Sequence, residues 1–198
     1  MAYSDFDLRT VRERFTLTTD EETNLFADVQ ETAPSDWLRN FLDEWGSAAI
    51  AMNTEKARSE MIIAPILMET VRASNRRVRL FSGITFDIDK DRGLNGACDY
   101  LLARSPERFF PKSPVLAVVE AKKEDISGGL GQCIAEMIAA QIYNEREGDA
   151  VRTVYGAVTT GSVWRFLQLQ HQHVFIDQPE YYLYQIGKIL GILRRMID

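Results

Sequence analysis

Charged side chains interrupt the most apolar stretch of the sequence. The run VLAVVEAKKE (Val115 to Glu124) begins like a strand buried on both faces and then places Glu120 and Lys122 two residues apart. Because strand side chains alternate between faces, these two point to the same side and Ala121 points to the other. An isolated buried charge is costly, so buried carboxylates and ammonium groups are usually paired or bind a metal ion.

Two further acidic residues interrupt apolar elements elsewhere. Glu60 lies in the helical pattern ARSEMIIAPIL, and Asp99 lies in NGACDYLL, 21 residues before Glu120. Hard cations such as Mg²⁺ take carboxylate oxygens as ligands, and a nearby lysine stabilises negative charge on a phosphate. Together, these residues are therefore candidates for a metal-binding group. Taken singly they need no site, because Glu120 and Lys122 could form an internal ion pair and Asp99 could cap a strand end.

The segments that must position these residues follow from the hydrophobic periodicity. Residues 1–46 are predicted to be a helical segment packed on the core, with a short helix near 20–30 behind the capping pattern TTDE. Gly46 is predicted to separate this segment from a longer helix, which Pro65 should kink or stop near Met61 to Ala64. An aromatic stripe in the first segment recurs every four residues and is predicted to pack in the core: Trp37, Phe41 and Trp45.

From about Arg77 the period changes from helix to strand. Three strands, a helix, two or three further strands and an amphipathic C-terminal helix are predicted. Their sequences are, in order, RVRLFSGITFDID, ACDYLLARS, VLAVVEAKKE, QCIAEMIAAQIYNERE, TVYGAVTT, SVWRFLQLQ, HVFID and EYYLYQIGKILGILRRMI. The order predicts an α/β sandwich in residues 47–198, with a central mixed sheet flanked by helices.

Composition limits the classes of function. With 45% hydrophobic and 26% charged residues, the chain is predicted to be an ordinary soluble globular protein. Its net charge of −6 argues against a generic nucleic-acid coat or an anionic membrane surface, so any nucleic-acid contact must be local. Cys98 and Cys133 are isolated and lack zinc spacing, which favours a reduced, cytoplasmic setting. We expect neither a secretory signal nor a transmembrane segment.

These residues resemble the motif of the PD-(D/E)xK nuclease superfamily. The resemblance rests on Glu60, Asp99 and the triplet Glu120-Ala121-Lys122, in a helix–strand–strand–strand–helix order, over roughly residues 47 to 170. VYGAVTTGSVWRFLQL is also similar to a strand pair in the N-terminal nuclease segments of type I restriction subunits and related small proteins, many of them bacterial. The chain departs from the motif at its proline, since Cys98 precedes Asp99.

The resemblance implies a restriction-endonuclease-like fold and Mg²⁺-dependent (or Mn²⁺-dependent) cleavage of DNA. It implies that Asp99, Glu120 and Glu60 hold the metal and that Lys122 assists the attacking water. Family members often place a glutamine on the following helix. Gln132 and Gln141 are nine residues apart and lie on opposite faces, so only one can address the site. Gln132, nearer the end of the third strand, is the candidate, and a plain surface position remains the alternative for it.

The partners implied are nucleic acid, with DNA favoured over RNA, and no membrane. Candidate phosphate contacts are the basic residues Arg76, Arg77 and Lys123. Many nucleases of this fold act as dimers, so a homodimer or a protein partner is also compatible. The alternative function is a catalytically inactive member of the fold that binds nucleic acid or a protein. SGGLG (Ser127 to Gly131) is predicted to be a connecting loop that could touch DNA, and His171 and His173 lack partners for zinc.

Overall fold

The computed structural model describes residues 1–75, 77–149 and 151–198. It confirms the α/β class, with an eight-stranded mixed sheet flanked by helices. The strands are β1 (Thr18–Asp20), β2 (Arg79–Thr85), β3 (Ala97–Ala103), β4 (Val115–Ala121), β5 (Thr153–Thr159), β6 (Val163–Gln170), β7 (His173–Ile176) and β8 (Tyr181–Tyr182). The helices are α1 (Leu8–Phe15), α2 (Asp36–Met52), α3 (Glu55–Arg58), α4 (Ala64–Ala73), α5 (Ile126–Arg146) and α6 (Ile186–Ile197), with 3₁₀ turns at Tyr3–Asp5 and Leu183–Gln185.

The sheet has the order β1-β7-β6-β5-β4-β3-β2, and β8 pairs with β6. Strands β2, β3 and β4 form an antiparallel meander. Strand β5 then lies parallel to β4, and α5 supplies the crossover that a parallel pair requires. Strands β5, β6 and β7 are again antiparallel, and β1 joins the far edge parallel to β7.

Strand β4 lies at the centre, and all seven of its residues are buried. Helices α1 and α5 cover one face of the sheet, and α2, α4 and α6 cover the other. Gly156 lets α5 approach β5 closely, since a Cβ there would lie 2.5 Å from the Met137 sulfur. Burial on both faces explains why β4 is apolar until it reaches Glu120.

The helix that carries Glu60 changes its winding where the sequence predicts a disturbance. Between α3 and α4, the segment Ser59–Ile63 forms a π-helical turn. Pro65 follows directly, at the start of α4, and has no N–H to give to the carbonyl four residues earlier. The wider turn accommodates that missing bond, so the irregularity predicted near Met61 to Ala64 is confirmed.

Two predictions about the N-terminal segment are wrong. No helix forms near residues 20–30. Instead β1 pairs with β7, and the Asp20 carboxylate accepts the N–H groups of Glu22 and Thr23 in a tight turn. Gly46 does not end a helix either, because α2 continues through it and across the predicted boundary at residue 46 to Met52. The break comes at Asn53, with φ 50°, and at Thr54, which caps α3.

The aromatic stripe of α2 does not pack in the core as predicted. Trp37 is 40% exposed and Trp45 is 41% exposed, while Leu38 and Ala49 on the adjoining face are fully buried. The Arg72 guanidinium lies 5.4 Å from the centre of the Trp37 ring. Two apolar stripes therefore run along α2, and the one with the smaller residues faces the sheet.

Two other boundaries differ from the predictions. The SGGLG segment is not a loop but part of the first turns of α5, which begins at Ile126. The C-terminal pattern begins with strand β8 and a 3₁₀ turn, so α6 itself starts only at Ile186. Among the helices of the described residues, none has the length and apolar character that crossing a membrane requires.

Candidate functional site

The ends of β3 and β4 bring Asp99 and Glu120 to neighbouring positions. Tyr100 pairs with Val119 in the antiparallel register of β3 and β4. Asp99 precedes Tyr100 and Glu120 follows Val119, so Asp99 and Glu120 lie directly opposite each other on the two strands. Asp99 Oδ2 accepts the backbone N–H of Ala121 at 2.8 Å. One Asp99 oxygen is therefore engaged in a hydrogen bond at the strand end.

Glu120 and Lys122 form the ion pair that their spacing on one face of β4 favours. Lys122 Nζ lies 2.6 Å from Glu120 Oε1, and Glu120 is only 2% exposed. The lysine stem fits against Gly129 of α5, where a Cβ would lie 3.1 Å from Lys122 Cγ. The ammonium group is thus held at the end of β4, under the first turns of α5.

The glutamine that reaches this pair is Gln132. Lys122 Nζ donates to Gln132 Oε1 at 3.1 Å, so the amide oxygen of Gln132 fixes the ammonium from the side opposite Glu120. Gln141 lines a separate cavity of about 270 Å³ with Glu145 and His171. The opposite faces of α5 therefore separate the two glutamines as their spacing requires.

Glu136 completes the group and was not identified as a site residue from the sequence. It is fully buried on α5, and Gln132 Nε2 donates to its Oε1 at 3.1 Å. Glu136 stands four residues after Gln132, which places both on one face of the helix. A carboxyl group inside the apolar run CIAEMIAA was the available signal. We call Glu120, Lys122, Gln132 and Glu136 the Glu120 network.

Burial dominates the electrostatics of this network. It raises the pKa of Glu120 to about 7, with the charge of Asp99 adding to the rise and Lys122 opposing it. Burial also raises the pKa of Glu136 well above its ordinary value, and the charge of Glu120 acts in the same direction.

Lys122 carries its positive charge in this setting. Burial acts to lower the pKa of Lys122, but the charge and hydrogen bond of Glu120, with smaller contributions from Glu55 and Asp99, outweigh it and raise the pKa. The network therefore holds a charged ammonium between one carboxylate and one amide. Among the described residues, Glu120 Oε2 and Glu136 Oε2 are buried without a hydrogen-bond donor.

Glu60 lies on the other side of the β4 end. Its side chain is 58% exposed and pairs with Lys56 at 2.9 Å, one helical turn earlier. Tyr100 anchors this helix, since its hydroxyl donates to the carbonyl oxygen of Ser59 at 3.0 Å. Glu60 and Asp99 line the same cleft, of about 270 Å³, together with Ala121.

The three carboxylates predicted to bind metal are only partly brought together. Asp99 borders both Glu120 and the Glu60 cleft, but the described parts of the chain contain no group of three or more His, Cys, Asp or Glu side chains arranged to hold a metal ion. The reason lies in the local partners. Lys56 holds Glu60, and Glu120 lies on the α5 side of the sheet while the cleft opens on the other.

The predicted basic contacts do not form one surface. Lys123 is exposed directly after the Glu120–Lys122 pair, with its Nζ 3.6 Å from Glu124. Arg77 lies two residues before β2, at the end of the strand that pairs with Ala103. The residue of β2 beside Asp99 is Gly83, so Arg77 is six residues, or roughly 20 Å, away from Asp99 along the sheet. Arg76 lies outside the described residues.

Comparisons of the chain with family models, with curated proteins and with solved structures gave no match.

Proposed function

We propose that the chain is a metal-dependent phosphodiester hydrolase that acts on DNA, with its active centre at the ends of β3 and β4. The observation that carries the proposal is the juxtaposition of Asp99 and Glu120 across the two strands, with Lys122 ion-paired to Glu120 at 2.6 Å. The meander β2–β3–β4, followed by α5 and a parallel β5, has the order expected of a PD-(D/E)xK nuclease. This supports a restriction-endonuclease-like assignment.

The donor atoms fit a divalent cation. Glu120 Oε2 is buried without a donor among the described residues, and Asp99 keeps one carboxylate oxygen free of the Ala121 N–H. Both are oxygen ligands of the kind that Mg²⁺ and Mn²⁺ take. Asp99 and Glu120 would hold the ion. Glu60 stays paired with Lys56 in the cleft on the other side of the sheet. A bound cation supplies Lewis-acid stabilisation of the negative charge that develops on the phosphate.

The residues of the chain supply orientation and charge. Glu120 and Gln132 hold the Lys122 ammonium from two sides, so it can donate a hydrogen bond to the attacking water and orient that water towards phosphorus. Water adds to phosphorus and releases a proton to the solvent, the bond from phosphorus to the leaving sugar oxygen breaks, and that oxygen takes up a proton from the solvent. Glu136 accepts a hydrogen bond from Gln132 Nε2 and so keeps the Gln132 amide in place.

The test uses purified full-length protein with supercoiled plasmid and linear duplex DNA. We expect cleavage in Mg²⁺ or Mn²⁺ and none in EDTA. The Asp99→Asn variant should lose cleavage and also lose Mn²⁺ binding measured by calorimetry. The matched control Glu22→Gln, an exposed carboxyl far along the chain from the site, should retain both. Cleavage that survives EDTA would refute the proposal.

A second candidate is a catalytically inactive module of the same fold that binds nucleic acid or a protein. The ion pairs favour this candidate, because Lys122 pairs with Glu120 Oε1 and Lys56 pairs with Glu60, so neither of these carboxylate oxygens is free to bind a metal ion. The exposed Trp37 and Trp45 of α2 also suit a binding role. This candidate predicts no calorimetric heat on Mn²⁺ addition and no cleavage under any of these conditions.

A further inference from the structure

Arg58 is a buried guanidinium whose partners are all neutral. It is 8% exposed, and its Nη1 donates to the Thr160 carbonyl at 3.0 Å and to Ser162 Oγ at 3.1 Å. Its Nη2 donates to Asn53 Oδ1 at 3.3 Å, and its Nε is buried without a partner among the residues described. A guanidinium stays charged at every physiological pH, and burying it without an opposite charge is costly.

No carboxylate of the described residues is within ion-pair distance of Arg58. The charge of Arg58 acts only weakly on Glu124, since it is the smallest of the causes that lower the pKa of Glu124. The Glu124 carboxylate instead accepts from Asn53 Nδ2 at 3.1 Å and lies 3.6 Å from Lys123. The positive charge of Arg58 is therefore not neutralised within the fold.

Arg58 lines an open cavity of about 450 Å³, which is large enough for a phosphate group and part of a nucleotide. Lys123, Ser127 and Ser162 also line it, so a second cation and two hydroxyl groups face the same space. The α5 helix begins in its wall, and Asp125 at the N-cap makes no side-chain hydrogen bond to the first turn. The N–H groups of that turn add positive potential.

The acids around this cavity are already engaged. Glu180 pairs with Arg165 at 2.8 Å, and Glu124 is held as described above. The Asp125 carboxylate folds over Gly128, where a Cβ would lie 2.5 Å from Asp125 Oδ2. Glu180 is paired with Arg165, Glu124 lies beside Lys123, and Asp125 lies against Gly128. Arg58 is therefore the cation of the cavity lining that has no ion-pair partner among the described residues.

The cavity adjoins the candidate active centre. Arg58 immediately precedes Ser59 and Glu60, which line the cleft shared with Asp99. The Lys122 N–H donates to the Thr159 carbonyl at 2.8 Å, and the next carbonyl, that of Thr160, holds Arg58. The two cavities therefore flank the end of β4.

We propose that Arg58 and Lys123 form a phosphate subsite that binds a backbone phosphate of the nucleic-acid strand, beside the phosphate that is cut. That the ligand is a nucleic-acid strand rests on the proposed function. That the cavity binds an anion rests on the Arg58 guanidinium, which has no opposite charge within ion-pair distance. Arg58 acts by binding, since it touches neither Asp99 nor the Glu120 network.

The test measures binding without cleavage. Fluorescence anisotropy of labelled single-stranded and duplex 12-mer DNA is recorded in EDTA for the full-length protein. We expect Arg58→Gln to weaken binding about tenfold and to reduce the slope of log Kd against log salt by about one. Arg58→Lys should recover part of the affinity. Arg39→Gln, which removes an exposed arginine of α2, should bind as the wild type does.

Lys123→Gln supplies a variant that leaves the packing around Arg58 intact, and it should weaken binding about threefold with a smaller salt slope. Equal affinity of wild type and Arg58→Gln would refute the subsite. If Arg58→Gln is unfolded by circular dichroism, unchanged affinity in Lys123→Gln would refute it instead. Comparing 12-mers with and without a 5′-phosphate separates a backbone phosphate from a terminal one, and dependence on the terminal phosphate would contradict the proposal.

The results also separate this inference from the proposed function. DNA binding in EDTA that depends on Arg58, without any cleavage in Mg²⁺, would leave the subsite standing and remove the nuclease. Metal-dependent cleavage, together with unchanged DNA binding by Arg58→Gln, would support the nuclease and remove the subsite.

Discussion

Two groups of buried acids lie on this sheet, and they differ in how their oxygens are satisfied. Asp177 follows β7 and is fully buried, and each of its oxygens has a donor: Leu25 N–H at 2.7 Å and the Tyr181 hydroxyl at 2.9 Å. In the Glu120 network, Glu120 and Glu136 each bury one oxygen that lacks a donor among the described residues. We call Asp177, Tyr181 and the Leu25 N–H the Asp177 cluster.

The difference separates an acid whose two oxygens both have donors from two acids that each bury one oxygen without a donor among the described residues. Burial raises the pKa of Asp177 too, but hydrogen bonds from Leu25 and Tyr181 oppose the rise. Burial raises the pKa of Glu120 to about 7. The like charge of Asp99 adds to this rise, and the positive charge of Lys122 opposes it. Like charges at one strand end are unfavourable for stability alone, and they are typical of sites that bind a cation or a proton.

The largest expected effect tests this contrast through activity. Glu120→Gln should lower the DNA cleavage rate by at least about 100-fold, because it removes a charge that stabilises the reacting centre. Lys122→Met should do the same. Asp177→Asn, at a temperature where it is folded, should cut at the wild-type rate. Initial rates on supercoiled plasmid measure all three.

Equal losses in Glu120→Gln and Asp177→Asn would break the distinction, since both acids would then act through the fold. Circular dichroism of each variant at the assay temperature shows whether the protein is folded. Retained cleavage in Lys122→Met would remove the ammonium from the proposed mechanism.

The second effect tests the same contrast through stability. Asp177→Ala should lower the free energy of unfolding by about 3 kcal/mol, because it strands two buried donors, the Leu25 N–H and the Tyr181 hydroxyl. Urea denaturation followed by tryptophan fluorescence measures the change. A loss below about 1 kcal/mol would show that water or a rearranged loop replaces the carboxylate. Asp177 would then not be needed to stabilise the fold.

The parts of the site that were predictable from sequence are those set by spacing within one element. The alternation of β4 places Glu120 with Lys122, and the helical repeat separates Gln132 from Gln141. The same repeat places Glu136 on the face of Gln132, so its position in the network also follows from spacing within one helix. The mixed sheet likewise follows from the order of strands and helices.

The parts that were not predictable depend on contacts between distant segments. Two stripes of α2 have helical spacing, one with Trp37 and Trp45 and one with Leu38 and Ala49, and only packing against the sheet selects the second. Glu60 was placed correctly on a helix, but whether it pairs with Lys56 or turns into the cleft depends on a rotamer. The sequence does not show that Arg58 is buried among neutral partners, because two of those partners, Thr160 and Ser162, lie more than 100 residues later in the chain.

The third effect concerns pH and is smaller. The folded protein holds a proton on Glu136 at a pH where the unfolded chain has released it, since the folded pKa is raised. Stability from this group is therefore greatest below the ordinary pKa of about 4.5 and declines as pH rises above it. Glu120 adds a decline between about 4.5 and about 7. Each retained proton contributes a slope of at most about 1.4 kcal/mol per pH unit.

Glu136→Gln removes one of these protons while keeping a side chain that can donate to Glu120. The unfolding free energy of the variant should therefore fall less steeply than that of the wild type between pH 5 and 8, by about 1 kcal/mol per unit or less. Urea denaturation at four pH values gives both slopes. Parallel curves would contradict the raised pKa of Glu136 and the stability slope derived from it.

The smallest expected effect isolates one hydrogen bond in the Asp177 cluster. Tyr181→Phe removes the hydroxyl that donates to Asp177 Oδ2 and leaves the Leu25 N–H on the other oxygen. The free energy of unfolding should fall by about 1 kcal/mol at pH 7, since one buried acceptor loses its donor. The deficit should shrink as the pH falls, because a protonated Asp177 needs one hydrogen-bond donor fewer, and Tyr181 opposes the raised pKa of Asp177.

The Tyr181→Phe mutant leaves Asp177 with one oxygen lacking a donor, as Glu120 has in the wild type. If such an oxygen is sufficient to create a cation site, Tyr181→Phe should acquire Mn²⁺ binding by calorimetry. We expect none, because the like charge that Asp99 provides beside Glu120 has no counterpart among the causes that set the Asp177 pKa, where Arg165 and Lys188 are cationic.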